Sequence, residues 1–206
     1  MLVKDVMTRE VITIAPSASL KEAARLMIEH GVSGLPVIEE GRVVGVLSDR
    51  DFLVKEQGPR ESSRWLAWLI TPTTIADEAK LQARSVRGAM TVPPITVWKS
   101  ASLAFAAQRM LESDVSRLPV LAGDELVGIV TRTDLVRAFA RPDEQIQREI
   151  TEAVIGQELW PNDQVRVSVS NGNVDVSSLR PAEVDEDVLR RLIARVPGVV
   201  SVTLRE

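Results

Sequence analysis

The sequence contains itself twice. Shifted by 83 positions, Val3–Leu53 aligns on Val86–Val136 without a gap, and about 21 of about 51 aligned residues are identical. Met7-Thr8 returns as Met90-Thr91, Ile12-Thr13 as Ile95-Thr96, Ser19-Leu20 as Ser102-Leu103, and Ala23-Ala24 as Ala106-Ala107. Leu35-Pro36-Val37 returns as Leu118-Pro119-Val120, Gly45 as Gly128 and Asp51 as Asp134. A unit of about 50 residues lies at the lower limit for burying its own core, so the two copies are expected to pack as a pair.

Each copy carries the same local signals. A short β-rich stretch, Val11–Ile14 or Ile95–Trp98, precedes a Ser and then a helical pattern. Its apolar residues are Leu20, Ala23, Ala24, Met27 and Ile28 in one copy, and Leu103, Ala106, Ala107, Met110 and Leu111 in the other. The spacing i, i+3, i+4, i+7, i+8 predicts one buried helical stripe. Ser19 with Glu22 forms a capping box that the second copy lacks, and Gly31 suits the helix end. Two strands follow, Leu35–Glu39 and Arg42–Leu47, turned by Glu40-Gly41, and a last helix starts near Asp49. The unit therefore reads β-α-β-β-α.

Residues 54–85 form a connector, with an expected helix through Trp65 and Trp68 and a second over Asp77–Ser85. After Arg141-Pro142 the pattern changes. Ile146, Ile150 and Val154 mark a helix from near Asp143, Val165–Val169 and Val174–Leu179 flank an Asn171-Gly172 hairpin, and Val184–Val196 is helical. Val199–Leu204 is the last strand. The expected fold class is α/β (α+β): two β-α-β-β-α repeats packed as a pair plus a small α-β-β-α-β domain. The limits are 1–53 for repeat 1, 54–85 for a helical connector, 86–141 for repeat 2 and 143–206 for the last domain.

Composition narrows the chemistry. With no Cys the chain offers no thiolate nucleophile, and with one His, His30 near a helix end, neither a Ser-His-Asp triad nor a zinc ligand set is expected. No metal site and no catalytic residue is expected. A net charge of −4 without a Lys/Arg run argues against nucleic acid. The N-terminus has no apolar signal region, and the longest apolar run, Trp65–Ile70, is too short to span a bilayer, so a cytoplasmic location is expected.

The chemistry-bearing segments are Gly45–Asp51 and Gly128–Asp134, both G-x-x-[ST]-x-x-D at a strand–helix junction. Ser or Thr followed three residues later by an acid is a helix capping box. The same junction presents a hydroxyl and the first helix amides where the dipole favours an anion. A carboxylate one turn in can chelate a ribose diol, and Arg50 and Arg132 are placed to pair with phosphate. The two roles are compatible.

These residues resemble a family. The Met-Thr opening, Ser-Leu-x-x-Ala-Ala, Val-Ser-x-Leu-Pro-Val and Gly-x-x-[Ser/Thr]-x-x-Asp together look like a pair of cystathionine-β-synthase (CBS) domains, a Bateman module, over essentially all of 3–53 and 86–136. The resemblance implies a non-catalytic regulatory module. Its clefts would bind an adenosyl ligand: AMP, ADP, ATP, S-adenosylmethionine or a dinucleotide of the NAD class, with AMP or ATP foremost. It places Asp51 and Asp134 on ribose hydroxyls and Ser48 and Thr131 near phosphate. Thr13, Ile14, Val32, Ser33, Leu35 and Pro36, with Thr96, Val97, Val115, Ser116, Arg117, Leu118 and Pro119, would frame adenine through backbone and apolar contacts. Trp98-Lys99 replace Ala15-Pro16, and Arg132-Thr133 replace Asp49-Arg50, so two unequal clefts are expected. The family commonly forms two-fold homodimers.

The C-terminal α-β-β-α-β segment, with its Asn-Gly hairpin and Val-Pro-Gly-Val-Val-Ser-Val ending, resembles the BON domain, which implies attachment to a protein partner or to phospholipid through 143–206. A structural adaptor built on that attachment is the alternative reading.

Overall fold

The computed structural model describes residues 1–56, 83–156, 165–178 and 186–205. The expected connector helix with Trp65 and Trp68, and most of Asp77–Ser85, lie outside the described residues. The described residues fall into two compact units: one drawn from 7–99 and 112–130, the other from 1–6, 100–111 and 131–206.

In the first unit, α1 (Leu20–His30) begins at Ser19, whose Oγ accepts the Glu22 amide at 3.1 Å. It ends at Gly31, left-handed at φ 62°, a conformation that costs glycine no Cβ clash. β1 (Gly34–Glu39) and β2 (Arg42–Ser48) form an antiparallel hairpin, with Glu40 and Gly41 both at positive φ in the expected tight turn. The pairing shifts at Val37/Ile38, where a bulge adds one residue to β2. α2 (Asp49–Glu56) follows at once. A short helix, α3 (Val86–Ala89), leads to β3 (Val97–Trp98), which pairs parallel with β4 (Arg117–Ala122) in a sheet of order β3-β4-β5, β5 being Glu125–Thr131.

The strand expected at Val11–Ile14 contracts to a single parallel bridge, Ile14 to Val37. Only Ile14 exchanges backbone hydrogen bonds there, accepting from Ile38 and donating to the Pro36 carbonyl. The core of the unit gathers Ile14, Leu20, Ala23, Met27, Leu35, Val37 and Leu47 with Val86, Ala89 and Met90. The stripe of α1 is narrower than its apolar spacing suggests: Ala24 is half-buried and Ile28 is exposed.

The landmarks that the two copies share pair reciprocally. Thr8 and Ile129 exchange backbone hydrogen bonds at 2.9 Å each way, as do Thr91 and Val46 at 2.9 and 3.2 Å. Each Met-Thr opening thus bridges to the last strand of the other copy.

The second unit contains α4 (Leu103–Glu112, all but its last residue), α5 (Arg132–Phe139) and α6 (Asp143–Glu149), which runs on as a π-helical segment over Ile150–Ile155. Ser102 Oγ accepts the Phe105 amide at 3.1 Å, so α4 keeps its serine cap although Phe105 cannot complete a box. β6 (Val165–Ser170) and β7 (Asn173–Ser178) make the expected Asn171-Gly172 hairpin, α7 spans Glu186–Ile193, and β8 (Ser201–Arg205) lies parallel to β7. The α-β-β-α-β order stands, around a core of Ile146, Ile150, Ile155, Val167, Val174, Val176, Leu189, Ile193 and Val196. No helix among the described residues is long and apolar enough to cross a membrane.

Candidate functional site

The first motif sits where β2 passes into α2. A helix start favours a carboxylate in its first turn, and here that of Asp51 folds back on Ser48. Asp51 Oδ2 accepts both the Ser48 amide, at 2.8 Å, and the Ser48 hydroxyl, at 3.0 Å. The Asp49 amide donates to the Ser33 carbonyl at 3.0 Å, which ties the helix start to the residue before β1. Asp51 is 6% exposed. The Asp51 half of a capping box is therefore present, on a buried carboxylate beside the loop carrying Val32 and Ser33.

Into this junction reaches Arg117, from the start of β4. It is 7% exposed. Its Nη2 donates to Ser33 Oγ at 2.8 Å and to Ser116 Oγ at 3.0 Å, and stands 3.9 Å from Asp49 Oδ1. Ser33 and Ser116 are the same position in the two copies, and so are Gly34 and Arg117. Gly34 has to be glycine: a β-carbon there would lie 2.6 Å from Arg117 Cζ and 2.8 Å from the Leu47 carbonyl oxygen. The guanidinium of one copy fills the space left by the missing side chain of the other. Burial pulls the Arg117 pKa down, against the opposing fields of Asp49 and Asp51. Arg117 Nε is buried with no hydrogen-bond partner among the described residues.

Arg50, expected on phosphate, forms a 2.7 Å ion pair with Asp114. Both side chains are exposed, which limits what the pair contributes.

In the second unit the same motif repeats both bonds and adds the return bond that completes the box. Asp134 Oδ2 accepts the Thr131 amide at 2.9 Å and its hydroxyl at 2.7 Å, and the Asp134 amide donates back to Thr131 Oγ1 at 3.3 Å. Asp134 Oδ1 differs in accepting Arg137 Nη1 at 3.1 Å. The aligned residue of the first copy is Val54, which has no such donor. Arg132 is exposed.

The apolar frame expected for adenine is only partly available. Leu35 and Leu118 have no exposure, and Ile14 and Val97 are buried too. Val32, Val115, Ser116 and Thr96 are half-buried, Thr13 and Ser33 are exposed, and Pro36 and Pro119 are buried. The sequence did not single out Asp49 or Arg137, and it did not reveal the contact of Arg117 with Ser33. The available signal was the Gly/Arg difference inside an otherwise shared Val-Ser-x-Leu-Pro-Val.

A family model described as the CBS domain matches residues 3–57 and 83–141. The chain is 32% identical over 133 residues to the CBS domain-containing protein YhcV of Bacillus subtilis, which covers 65% of this chain and 81% of that protein. It is also 32% identical over 151 residues to the inosine-5′-monophosphate dehydrogenase of Korarchaeum cryptofilum. That match covers 71% of this chain but spans only 27% of the enzyme. Among solved structures, CBSX2 in complex with AMP is 35% identical, with a TM-score of 0.56 over 66% of this chain and 95% of that one; CBSX2 is a chloroplastic protein of Arabidopsis thaliana. The CBS domain pair of protein MJ0100, in complex with 5′-methylthioadenosine and S-adenosyl-L-methionine, is 26% identical, with a TM-score of 0.52 over 68% of this chain and 95% of that one.

Proposed function

The chain belongs to the CBS-domain family as a tandem pair, and from that premise we propose that it is a non-catalytic regulatory module binding an adenosyl ligand of the AMP, ATP or S-adenosylmethionine class. The observation that carries this reading is the paired motif, Ser48–Asp51 and Thr131–Asp134, each a buried carboxylate locked to its own hydroxyl and amide at a helix start. Such a carboxylate arrives pre-oriented. Its Oδ2 is held by the chain, and the remaining acceptor capacity is aimed without further loss of side-chain entropy. Relatives of similar fold carry AMP, or 5′-methylthioadenosine with S-adenosyl-L-methionine.

Binding regulates only if the ligand favours one conformation over another. The C-terminal domain, read as BON-like, is the element that would pass the change to a protein partner or phospholipid. Its α-β-β-α-β order supports the reading, and its sheet and core are its own. The proposed limits remain 1–53, 54–85, 86–141 and 143–206.

A two-fold homodimer completes the proposal. Ile28 and Leu111 occupy one aligned position, and Leu53 and Val136 another, and all four are exposed at 63% or more. Duplicated apolar positions left in solvent are what a self-complementary interface requires.

The test is thermal-shift titration with AMP, ATP, S-adenosylmethionine and NAD, accompanied by mass spectrometry of small molecules released on denaturation. A ligand selective for the native state raises the melting midpoint. No shift with any of them at millimolar concentration, and nothing released, defeats the reading.

A further inference from the structure

We propose that Asn171 is a site of spontaneous covalent modification, conversion to aspartate and isoaspartate through a succinimide, and that Asp143 sets how fast it is modified. The proposal does not depend on the nucleotide reading.

The turn imposes the reactive pair. Asn171 and Gly172 both sit at positive φ, 49° and 73°, at the tip of the β6–β7 hairpin. Asparagine tolerates that region better than most residues with a side chain. Position 172 also has to be glycine for want of room: a β-carbon there would collide with the Gly198 carbonyl oxygen and stand 2.8 Å from Val200 Cγ2. An asparagine followed by glycine is open to attack on its side-chain amide by the next backbone nitrogen, because glycine puts no side chain in the way. Asn171 is exposed, so water reaches it. The fold therefore keeps a reactive pair, and its protection has to come from outside the turn.

Asp143, at the start of α6, supplies that protection. Its Oδ1 accepts the Gly172 amide at 2.9 Å and its Oδ2 accepts the Asn171 amide at 2.6 Å. On the other side the Gly172 carbonyl accepts the Val200 amide at 2.8 Å. The Gly172 nitrogen is the nucleophile of the reaction. To act, it must give up its proton and swing onto Asn171 Cγ. A carboxylate that already holds that proton in a hydrogen bond opposes formation of the amide anion, and the paired bonds oppose the rotation. Modification therefore proceeds from the opened turn, and Asp143 decides how rarely the turn opens.

The step needs only water. Gly172 N loses its proton to solvent and bonds to Asn171 Cγ; the side-chain nitrogen leaves as ammonia, and a five-membered succinimide remains. Water then opens the ring at Cγ to give aspartate, or at the backbone carbonyl to give isoaspartate, whose chain runs through Cβ and Cγ. Either product places a second carboxylate beside that of Asp143, so the modified tip is repelled from the start of α6.

The experiment incubates the full chain in mildly alkaline buffer and follows the peptide containing Asn171 by mass spectrometry, with isoaspartyl methyltransferase labelling to count isoaspartate. Folded Asp143→Ala should be modified roughly tenfold faster than folded wild type, the scale of the charge-assisted bonds lost. In urea, where neither chain keeps the turn, the two rates should agree. Equal rates in the folded proteins overturn the proposal. So does slower modification of the variant, which would make Asp143 the base that activates the nitrogen. Should Asp143→Ala fail to fold, Asp143→Asn keeps the shape and removes the charge. It should still be modified faster than wild type, and an equal rate overturns the assignment to Asp143. The consequence is read separately. Asn171→Asp should melt a few degrees below wild type, and adding Asp143→Asn should remove most of that difference. An Asn171→Asp chain that melts with the wild type overturns the predicted release.

Discussion

Met90 lies directly over Gly45, so that a β-carbon at position 45 would come within 2.6 Å of its Sδ and 3.1 Å of the Thr91 carbonyl oxygen. The aligned pair repeats it: a β-carbon on Gly128 would meet Met7 Sδ at 2.5 Å and the Thr8 carbonyl oxygen at 3.0 Å. The Met-Thr opening and the glycine of G-x-x-[ST]-x-x-D are therefore one reciprocal contact made twice, with the opening of each copy closing on the motif strand of the other.

Gly45→Val and Gly128→Val are expected to destabilise the protein by about 1–3 kcal/mol each, the usual scale for overpacking. The thioether can swing aside, but the backbone carbonyl behind it cannot, so Gly→Ala should cost less than Gly→Val at both places. Urea unfolding followed by far-UV circular dichroism reads the difference. Equal stability of glycine and valine forms would show that the bridges at Thr91 and Thr8 do not need this close approach.

The duplication, the hairpin turns and the C-terminal element order were legible because they depend on local signals: spacing, a Ser cap, Glu40-Gly41, Asn171-Gly172. What was not legible depends on contacts distant in the chain. Gly34 and Arg117 were visible as a difference between copies, but nothing local says that the side chain of one fills the absence in the other. The capping box was legible at both motifs, whereas the Asp134–Arg137 pair was not singled out, although its i,i+3 spacing was available. Val11–Ile14 looked like a strand because propensity does not count partners, and only Ile14 finds one. The spacing Ile146, Ile150, Val154 marked a helix but not its change of period: the π-helical segment over Ile150–Ile155 turns Ile155 into the core and leaves Val154 half-buried.

Asp143 shows a second long-range role that spacing did not reveal. It was placed at a helix start, yet its carboxylate accepts the amides of Asn171, at 2.6 Å, and Gly172, at 2.9 Å, at the tip of the β6–β7 hairpin. Asp143→Ala should cost about 1–3 kcal/mol, since two charge-assisted acceptors are lost together. Hydrogen exchange at the Asn171 and Gly172 amides should accelerate in the variant. Unchanged exchange would mean that the turn protects itself.

Glu149 gives the stability a pH dependence. Burial alone would raise its carboxyl pKa, but hydrogen bonds from Arg141, at 2.6 Å, and from the Met1 amino group, at 3.2 Å, more than offset this and hold it below its ordinary 4.5. A depressed folded value means that the unfolded chain takes up the proton first. The contribution is whole above about pH 4.5 and is lost as pH falls through the lower folded value. Melting midpoints measured from pH 6 down to pH 3 should drop more steeply for wild type than for Glu149→Gln. Parallel curves would remove Glu149 from the acid response.

The last prediction concerns assembly. Ile28 on α1 is 81% exposed and its aligned partner Leu111 on α4 is 76% exposed, although both extend apolar stripes that bury Leu20, Ala23 and Met27, or Leu103, Ala106 and Met110. A chain that keeps large aliphatics in solvent at the same place in both copies gains nothing from them as a monomer, since burying one such side chain is worth about 1.5–3 kcal/mol. Charge at these positions is costly only if they are covered. Ile28→Glu with Leu111→Glu should therefore convert a two-fold dimer to monomer in sedimentation equilibrium, with little change in circular dichroism because neither side chain serves the core of its own chain. A wild type that sediments as a monomer at micromolar concentration, or a variant that stays dimeric, places the association surface elsewhere.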